Sequence, residues 1–321
     1  MTDDRGRARR AGILGAGLLA AASLAAAAGT ARIPSFGADV GVVRLSLAIT
    51  DPQDRPVGDL SPADIEVFED GVRQEISLFT RERLPISLTL LVDGSTSMNA
   101  KLPVAKAAAV RFIRALGAED DAQVVQFTRH YAVLQEPTSD TAALEAAVGG
   151  IAAGGETSLF STIYIALREL SRRPAAEDPW RRRAVVVLTD GEDTASLVSD
   201  DQLLDLARRD GVGVYAIGLF GPRSPLDEGP DPTYFLNALA RETGGRAYFP
   251  RALDELDGAY ARIAEELRTL YGVGYVPSNP RRDGKWRRVS IATVRPSLLV
   301  RHRLGYPGPS EARLPRLAAG R

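Results

Sequence analysis

The chain of 321 residues contains no cysteine and only two histidines. The first absence excludes disulfides, thiol nucleophiles and cysteine-based zinc sites. The second leaves His130 and His302, which stand far apart without ligand spacing and read as strand or surface residues. An excess of charge is missing too: 40 Lys and Arg face 41 Asp and Glu, for a net charge of −1. No basic field therefore points to nucleic acid as a partner. What remains is an ordinary globular composition, 45% apolar and 25% charged, in a chain long enough for one large domain and a smaller one.

Residues 1–31 have the order of a secretory signal peptide. Arg5, Arg7, Arg9 and Arg10 precede the apolar stretch Ala11 to Ala28, and the small residues Gly29-Thr30-Ala31 follow. Cleavage after Ala28 or Ala31 fits, and no cysteine follows to carry a lipid. The apolar stretch approaches the ~20 residues that span a bilayer, so an uncleaved anchor is the one route to a membrane. Gly15-Ala16-Gly17-Leu18-Leu19-Ala20 imitates a dinucleotide fingerprint, but arginines stand where its strand should be. Losing this segment leaves a mildly acidic, disulfide-free chain, which points to a bacterial cell envelope, periplasmic or secreted.

Residues 38–82 read as a β segment. Val40 to Thr50 alternates as a strand, and Asp70-Gly71 marks a hairpin between Ile65–Phe68 and a return strand Val72–Phe79. Asp51, Asp54, Asp59 and Asp70 lack the spacing of a calcium loop and read as turn residues. Residues 83–270 alternate strand and helix, the pattern of an α/β domain with a mainly parallel sheet. Its first helix, near 100–116, carries an apolar stripe at Val104, Ala108, Phe112 and Leu116. His130 to Leu134 can pair antiparallel at the sheet edge, and Pro222 to Pro232 is a loop past a strand end. Residues 271–306 return to β character, with Asp283-Gly284 as another hairpin signal and Tyr271 and Tyr275 as packing residues. The two β segments flank the α/β domain, so they are expected to pack together as one unit. The tail 307–321 lacks periodicity and reads as disordered.

Chemistry concentrates at three places. Ile86 to Val92 is an apolar, β-branched run too short for a typical helix, hence a buried strand. It runs into Asp93-Gly94-Ser95-Thr96-Ser97, an acid and two hydroxyls at alternate positions that can aim three oxygens at one point. Oxygen-only ligation suits a hard cation, Mg²⁺ or Mn²⁺ before Zn²⁺. Gly154 to Phe160 is a Gly-rich loop entering a helix, with Thr157 where an N-cap would sit; capping alone is its alternative role. Ala184 to Thr189 is a second apolar strand, ending on Asp190-Gly191-Glu192-Asp193. In an open parallel sheet, ligands bind beyond the carboxyl ends of the strands near the topological switch point. Asp93 and Asp190 would share that edge, facing solvent, with Thr157 on a neighbouring loop. Glu192 and Asp193 read as solvated charges or as N-terminal charges complementing the dipole of the following helix, and Asp120 and Asp121 as surface turn residues.

In order and spacing, Asp93, Ser95 and Ser97, then Thr157, then Asp190 resemble the metal-ion-dependent adhesion site of the von Willebrand factor A domain family. The flanks extend the resemblance. Ser61-Pro62-Ala63-Asp64-Ile65-Glu66-Val67-Phe68-Glu69-Asp70-Gly71 ahead of the domain is similar to a segment of exported von Willebrand factor A-related bacterial proteins common in Acidobacteria. Behind the domain the same holds for Gly274-Tyr275, Pro277, Asn279, Asp283-Gly284-Lys285-Trp286-Arg287 and Arg303 to Tyr306. The resemblance implies a Rossmann-like, mostly parallel sheet flanked by helices, with a small β unit built from the flanking segments. It also implies that Asp93 anchors a divalent cation, Mg²⁺ before Mn²⁺ or Ca²⁺. Ser95 and Ser97 would ligate it directly, and Thr157 and Asp190 directly or through water. An exposed Asp or Glu of a protein ligand would then replace a water on the ion.

The expectation is thus an exported, non-enzymatic adhesion or scaffold module. Two alternatives stay open. A metal-dependent hydrolase would need a general base, and no His, Lys or Glu occupies a motif position for one. A purely structural role would leave the ion stapling strand ends.

Overall fold

The computed structural model describes residues 41–173, 180–221 and 231–310. The signal-peptide reading, most of the Pro222–Pro232 loop and the tail beyond Ser310 lie outside them. The chain enters through four strands, β1 (Val43–Thr50), β2 (Ile65–Glu69), β3 (Val72–Gln74) and β4 (Ile76–Thr80). Asp70 and Gly71 both take positive φ, 48° and 82°, which makes the two-residue turn that pairs β2 with β3. The return strand breaks at Glu75. β3 stays with β2, whereas β4 joins a different sheet.

The α/β region follows with β5 (Ile86–Asp93), α1 (Leu102–Arg114), β6 (Asp121–Phe127), β7 (Tyr131–Thr138), α2 (Thr141–Gly150) and α3 (Leu159–Arg172). It continues with β8 (Arg182–Thr189), α4 (Asp200–Asp210), β9 (Gly213–Gly218), α5 (Pro232–Thr243), β10 (Ala247–Tyr248) and α6 (Leu256–Thr269). The sheet order is β10-β9-β8-β5-β6-β7, parallel throughout except for the antiparallel edge strand β7. β5 is buried along its whole length because helices cover both faces. Successive side chains feed opposite cores. Leu88, Leu90 and Val92 pack towards α1, α2 and α6, while Leu91 packs towards α3, α4 and α5. The polar residues inside β5 are matched across the register: Ser87 donates to Asp121 (2.8 Å) and Thr89 to Gln123 (3.2 Å).

Two expectations on side chains change. The buried stripe of α1 is Leu102, Ala105, Ala108, Ala109, Phe112 and Ile113, and Val104 is 37% exposed, because the helix rolls its alanines against the sheet. Asp120 is buried rather than superficial. It accepts from Arg83 (2.7 Å), the Gly117 amide (2.6 Å) and the Ile86 amide (3.1 Å), and Asp121 pairs with Arg173 and Arg181.

The chain closes with β11 (Tyr271–Tyr275), β12 (Trp286–Thr293), β13 (Leu299–Arg301) and β14 (Gly305–Pro307). These strands interleave with the first four into two sheets, β13-β1-β11-β4 and β14-β12-β2-β3. One core lies between them, with Leu45, Leu47, Val67, Val273 and Val289 buried. Tyr271 and Tyr275 are buried there, with hydroxyls donating to Val57 O (2.8 Å) and Glu69 (2.9 Å). Asp283-Gly284 is a turn but not a hairpin: β11 and β12 belong to different sheets, and Gly284 N donates to Pro309 O (2.9 Å). Residues 307–310 are likewise not a loose tail, since Gly308 N bonds Lys285 O (2.8 Å) and Ser310 bridges Asp283.

Candidate functional site

β5 is the switch point of the central sheet. The chain leaves it for β6 and β7 on one side and returns to β8 on the other. That order opens a crevice beyond its carboxyl end, where Asp93 stands. Asp93 is fully buried. Its Oδ1 accepts from the Ser95 amide (2.8 Å) and its Oδ2 from the Thr189 hydroxyl (2.6 Å). Burial raises the Asp93 carboxyl above the ordinary carboxylate range against these bonds, and the neighbouring Asp190 charge raises it further.

The turn after Asp93 is built around glycine. A side chain at Gly94 would lie 2.5 Å from Gln126 Nε2 and 3.0 Å from Ala152 O. Gly94 N donates to Phe127 O and Gly94 O accepts from Gly154 N, each at 2.7 Å. Gly155, at φ 91°, presents its carbonyl to the Thr96 amide (3.1 Å). Gln126 clamps Ala152 through both its carbonyl and its amide group. The Gly-rich loop is thereby tied to the Asp93–Ser97 turn by backbone bonds.

The hydroxyls and the second acid then meet. Ser95 Oγ and Ser97 Oγ are 3.0 Å apart, and Ser97 donates to Asp190 Oδ1 at 2.7 Å. A Cβ added to Gly191 would lie 3.4 Å from Thr157 Oγ1 and 3.9 Å from Ser97 Oγ, so both hydroxyls border the same backbone. Thr157 is not an N-cap; Ser158 holds that position in α3. The Thr157 carbonyl accepts from the amides of Thr194 (2.9 Å) and Ala195 (3.1 Å), which joins the second and third segments. Asp93, Ser95, Ser97 and Asp190 thus form one hydrogen-bonded chain, with Thr157 beside it.

Neither acid faces solvent, contrary to expectation. The loops close over the strand ends and leave the Asp190 side chain 0% exposed. Asp193 does not serve the helix after it. It accepts from the Phe160 amide (3.1 Å) at the start of α3, and Ser196 accepts from the Ser161 amide (2.9 Å). Two participants carry no motif signature: Thr189, which holds Asp93, and Lys101, whose Nζ donates to Asp190 Oδ2. A local signal for Lys101 does exist. It occupies the N-cap position of α1 without a side-chain cap, where a cation opposes the helix dipole.

The donor set fits a hard divalent cation. Among the described residues no group of three or more His, Cys, Asp or Glu is arranged for a metal, so an ion here depends on the hydroxyls. Ser97 directs its one proton to Asp190, so Ser95 must donate to Ser97, which leaves Ser97 one further lone pair for coordination.

Residues 88–192 match the von Willebrand factor type A domain. A UPF0353 protein of Nocardia farcinica is 27% identical over 215 residues, 56% of this chain; the chain covers 63% of that relative's length. Similar solved structures include an aerotolerance-related membrane protein from Bacteroides fragilis, at 19% identity and TM-score 0.44, covering 57% of this chain and 98% of that one. Another is proximal thread matrix protein 1 from the mussel byssus with a zinc-occupied MIDAS motif, at 17% identity and TM-score 0.48, covering 61% of this chain and 48% of that one. Asp93, Ser95, Ser97, Thr157 and Asp190 all fall within residues 88–192, the part of the chain that is similar to the von Willebrand factor type A domain.

Proposed function

We propose that this protein is an exported, non-enzymatic binding module that captures a carboxylate of a partner protein through a divalent cation. Asp93, Ser95, Ser97, Thr157 and Asp190 would hold the ion, with Mg²⁺ preferred over Mn²⁺ or Ca²⁺. One observation carries the reading. Ser97 Oγ donates to Asp190 Oδ1 at 2.7 Å across a separation of 93 residues, which brings both acid-bearing strand ends to one point. Export rests on the order of residues 1–31, and no helix of the described residues is long and apolar enough to cross a membrane.

When bound, the cation supplies an exchangeable coordination position for an anionic ligand. The chain's own groups supply the rest. Asp93 provides charge from a buried position beneath the exposed Ser97, and the neutral serine and threonine hydroxyls leave the ion's positive character largely intact. Thr189 and Gln126 keep the acid and the loop from relaxing away.

Calorimetry with MgCl₂ and MnCl₂ on the wild type and on Ser97→Ala tests this. Heat of binding at millimolar ion or below, lost in the folded variant, is the expected result. No heat from the wild type at millimolar ion overturns the metal reading. A variant that fails to fold would favour the structural staple, and metal-dependent turnover of a phosphoester or peptide would favour the hydrolase.

A further inference from the structure

We propose that Lys101 is a tethered competitor for the divalent cation, a charge that offsets the buried acids whenever no ion is bound and lowers the site's affinity for the ion. The proposal rests on the reading of the site as a divalent-cation centre. Two carboxylates, Asp93 and Asp190, are buried close enough to repel each other. Burying like charges together is costly unless a cation offsets them. Lys101 is the only cation in ion-pairing range of either acid among the described residues.

The geometry makes that ammonium a stand-in. Its Nζ donates to Asp190 Oδ2 and lies 3.5 Å from Leu219 O, spanning the ends of β8 and β9. The other oxygen of Asp190 is taken by Ser97. A dication that draws on Asp190 must therefore displace Lys101 from Oδ2 or settle beside its positive charge. Either outcome weakens binding.

The placement of Lys101 supports a role other than local stability. A helix N-terminus favours Asp, Ser or Thr and disfavours a cation, yet this position holds lysine. Local rules broken without local gain mark functional sites. The side chain is also able to leave: it is 32% exposed, on a flexible four-carbon stem, while the Asp190 side chain it pairs with is 0% exposed. Lys101 would thus set the ion concentration at which the site converts from its resting pair to its loaded form.

The test uses Mn²⁺ alone, with Lys101→Met and Lys101→Gln as neutral variants and Lys101→Arg as the charge-retaining control. Calorimetry should show the neutral variants binding Mn²⁺ about tenfold tighter than the wild type, a difference of ~1.4 kcal/mol, with Lys101→Arg near the wild-type value. In chelator their Tm should fall below that of the wild type, and saturating Mn²⁺ should close or reverse that gap. Unchanged or weaker Mn²⁺ affinity in folded neutral variants overturns the competitor role while leaving the cation centre standing. If neither the wild type nor any variant binds Mn²⁺, the cation centre itself fails and the proposal with it. The glutamine variant keeps a donor for Asp190, so the comparison survives should the methionine variant not fold.

Discussion

Asp93 shows how burial changes what a ligand residue does before any ligand arrives. Its two oxygens hold the Ser95 amide and the Thr189 hydroxyl, so it organises the turn as well as offering charge. Asp93→Ala should therefore abolish ion binding and also destabilise the fold, because it leaves those donors buried without a partner, at a cost of ~1–3 kcal/mol. Asp93→Asn keeps the shape and one acceptor, and should lose ion binding with much less loss of stability. Denaturant titration of both variants, beside calorimetry with Mn²⁺, reads the difference. Equal stability of the alanine variant and the wild type would contradict this account.

At the scale of elements, the site depends on helix starts and loops more than on the strands. α3 begins next to Thr157 with Ser158 as its N-cap, whose side chain makes no cap and instead donates to Arg129 O. Asp193, from the loop after β8, supplies the missing acceptor to the Phe160 amide. This acid caps a helix that lies before it in the chain and ties the third segment of the site to the second. Asp193→Ala should lower stability by ~1 kcal/mol, the usual value of a lost cap. It should also loosen the Thr157 loop, visible as faster amide exchange at Phe160 and Ser161. Unchanged exchange at those amides would show that the bond does not hold the helix start.

Across the whole molecule, the β unit is fastened to the α/β domain near the end of α5. Gly244 lies against the backbone of His302 and Arg303, where any Cβ would come within 2.7 Å, and Arg301 donates to Gly245 O (3.0 Å) and to Glu266. His302 is buried at this seam with Nδ1 2.7 Å from Arg303 O. Burial depresses its pKa below the ordinary 6.5, only partly opposed by that carbonyl. A histidine held neutral in the fold and free to charge when unfolded gives stability that is complete above the unfolded pKa. That stability is lost as pH falls from about 6.5 through the lower folded value. The drop in Tm between about pH 7.5 and 5.5 should accordingly be smaller in His302→Asn than in the wild type. An equal drop would show that the seam does not sense protonation.

Element types were legible along most of the chain because period-two and helical spacings are local properties. So was the convergence of Asp93, Ser95, Ser97, Thr157 and Asp190 on one place, since acids and hydroxyls after strands and in a Gly-rich loop form a readable pattern. The partners of Lys101 and Thr189 were not, because a lysine out of place at a helix start and a threonine at a strand end do not announce contacts 89 and 96 residues away. The roles of Asp193 and Asp120, the separation of β3 from β4, and the assignment of β11 and β12 to different sheets were equally hidden. Each depends on which distant backbone arrives beside it. The burial of both acids belongs to the same class. A sequence places a carboxylate at the end of a strand, but the loops that fold over it decide whether water or protein surrounds it.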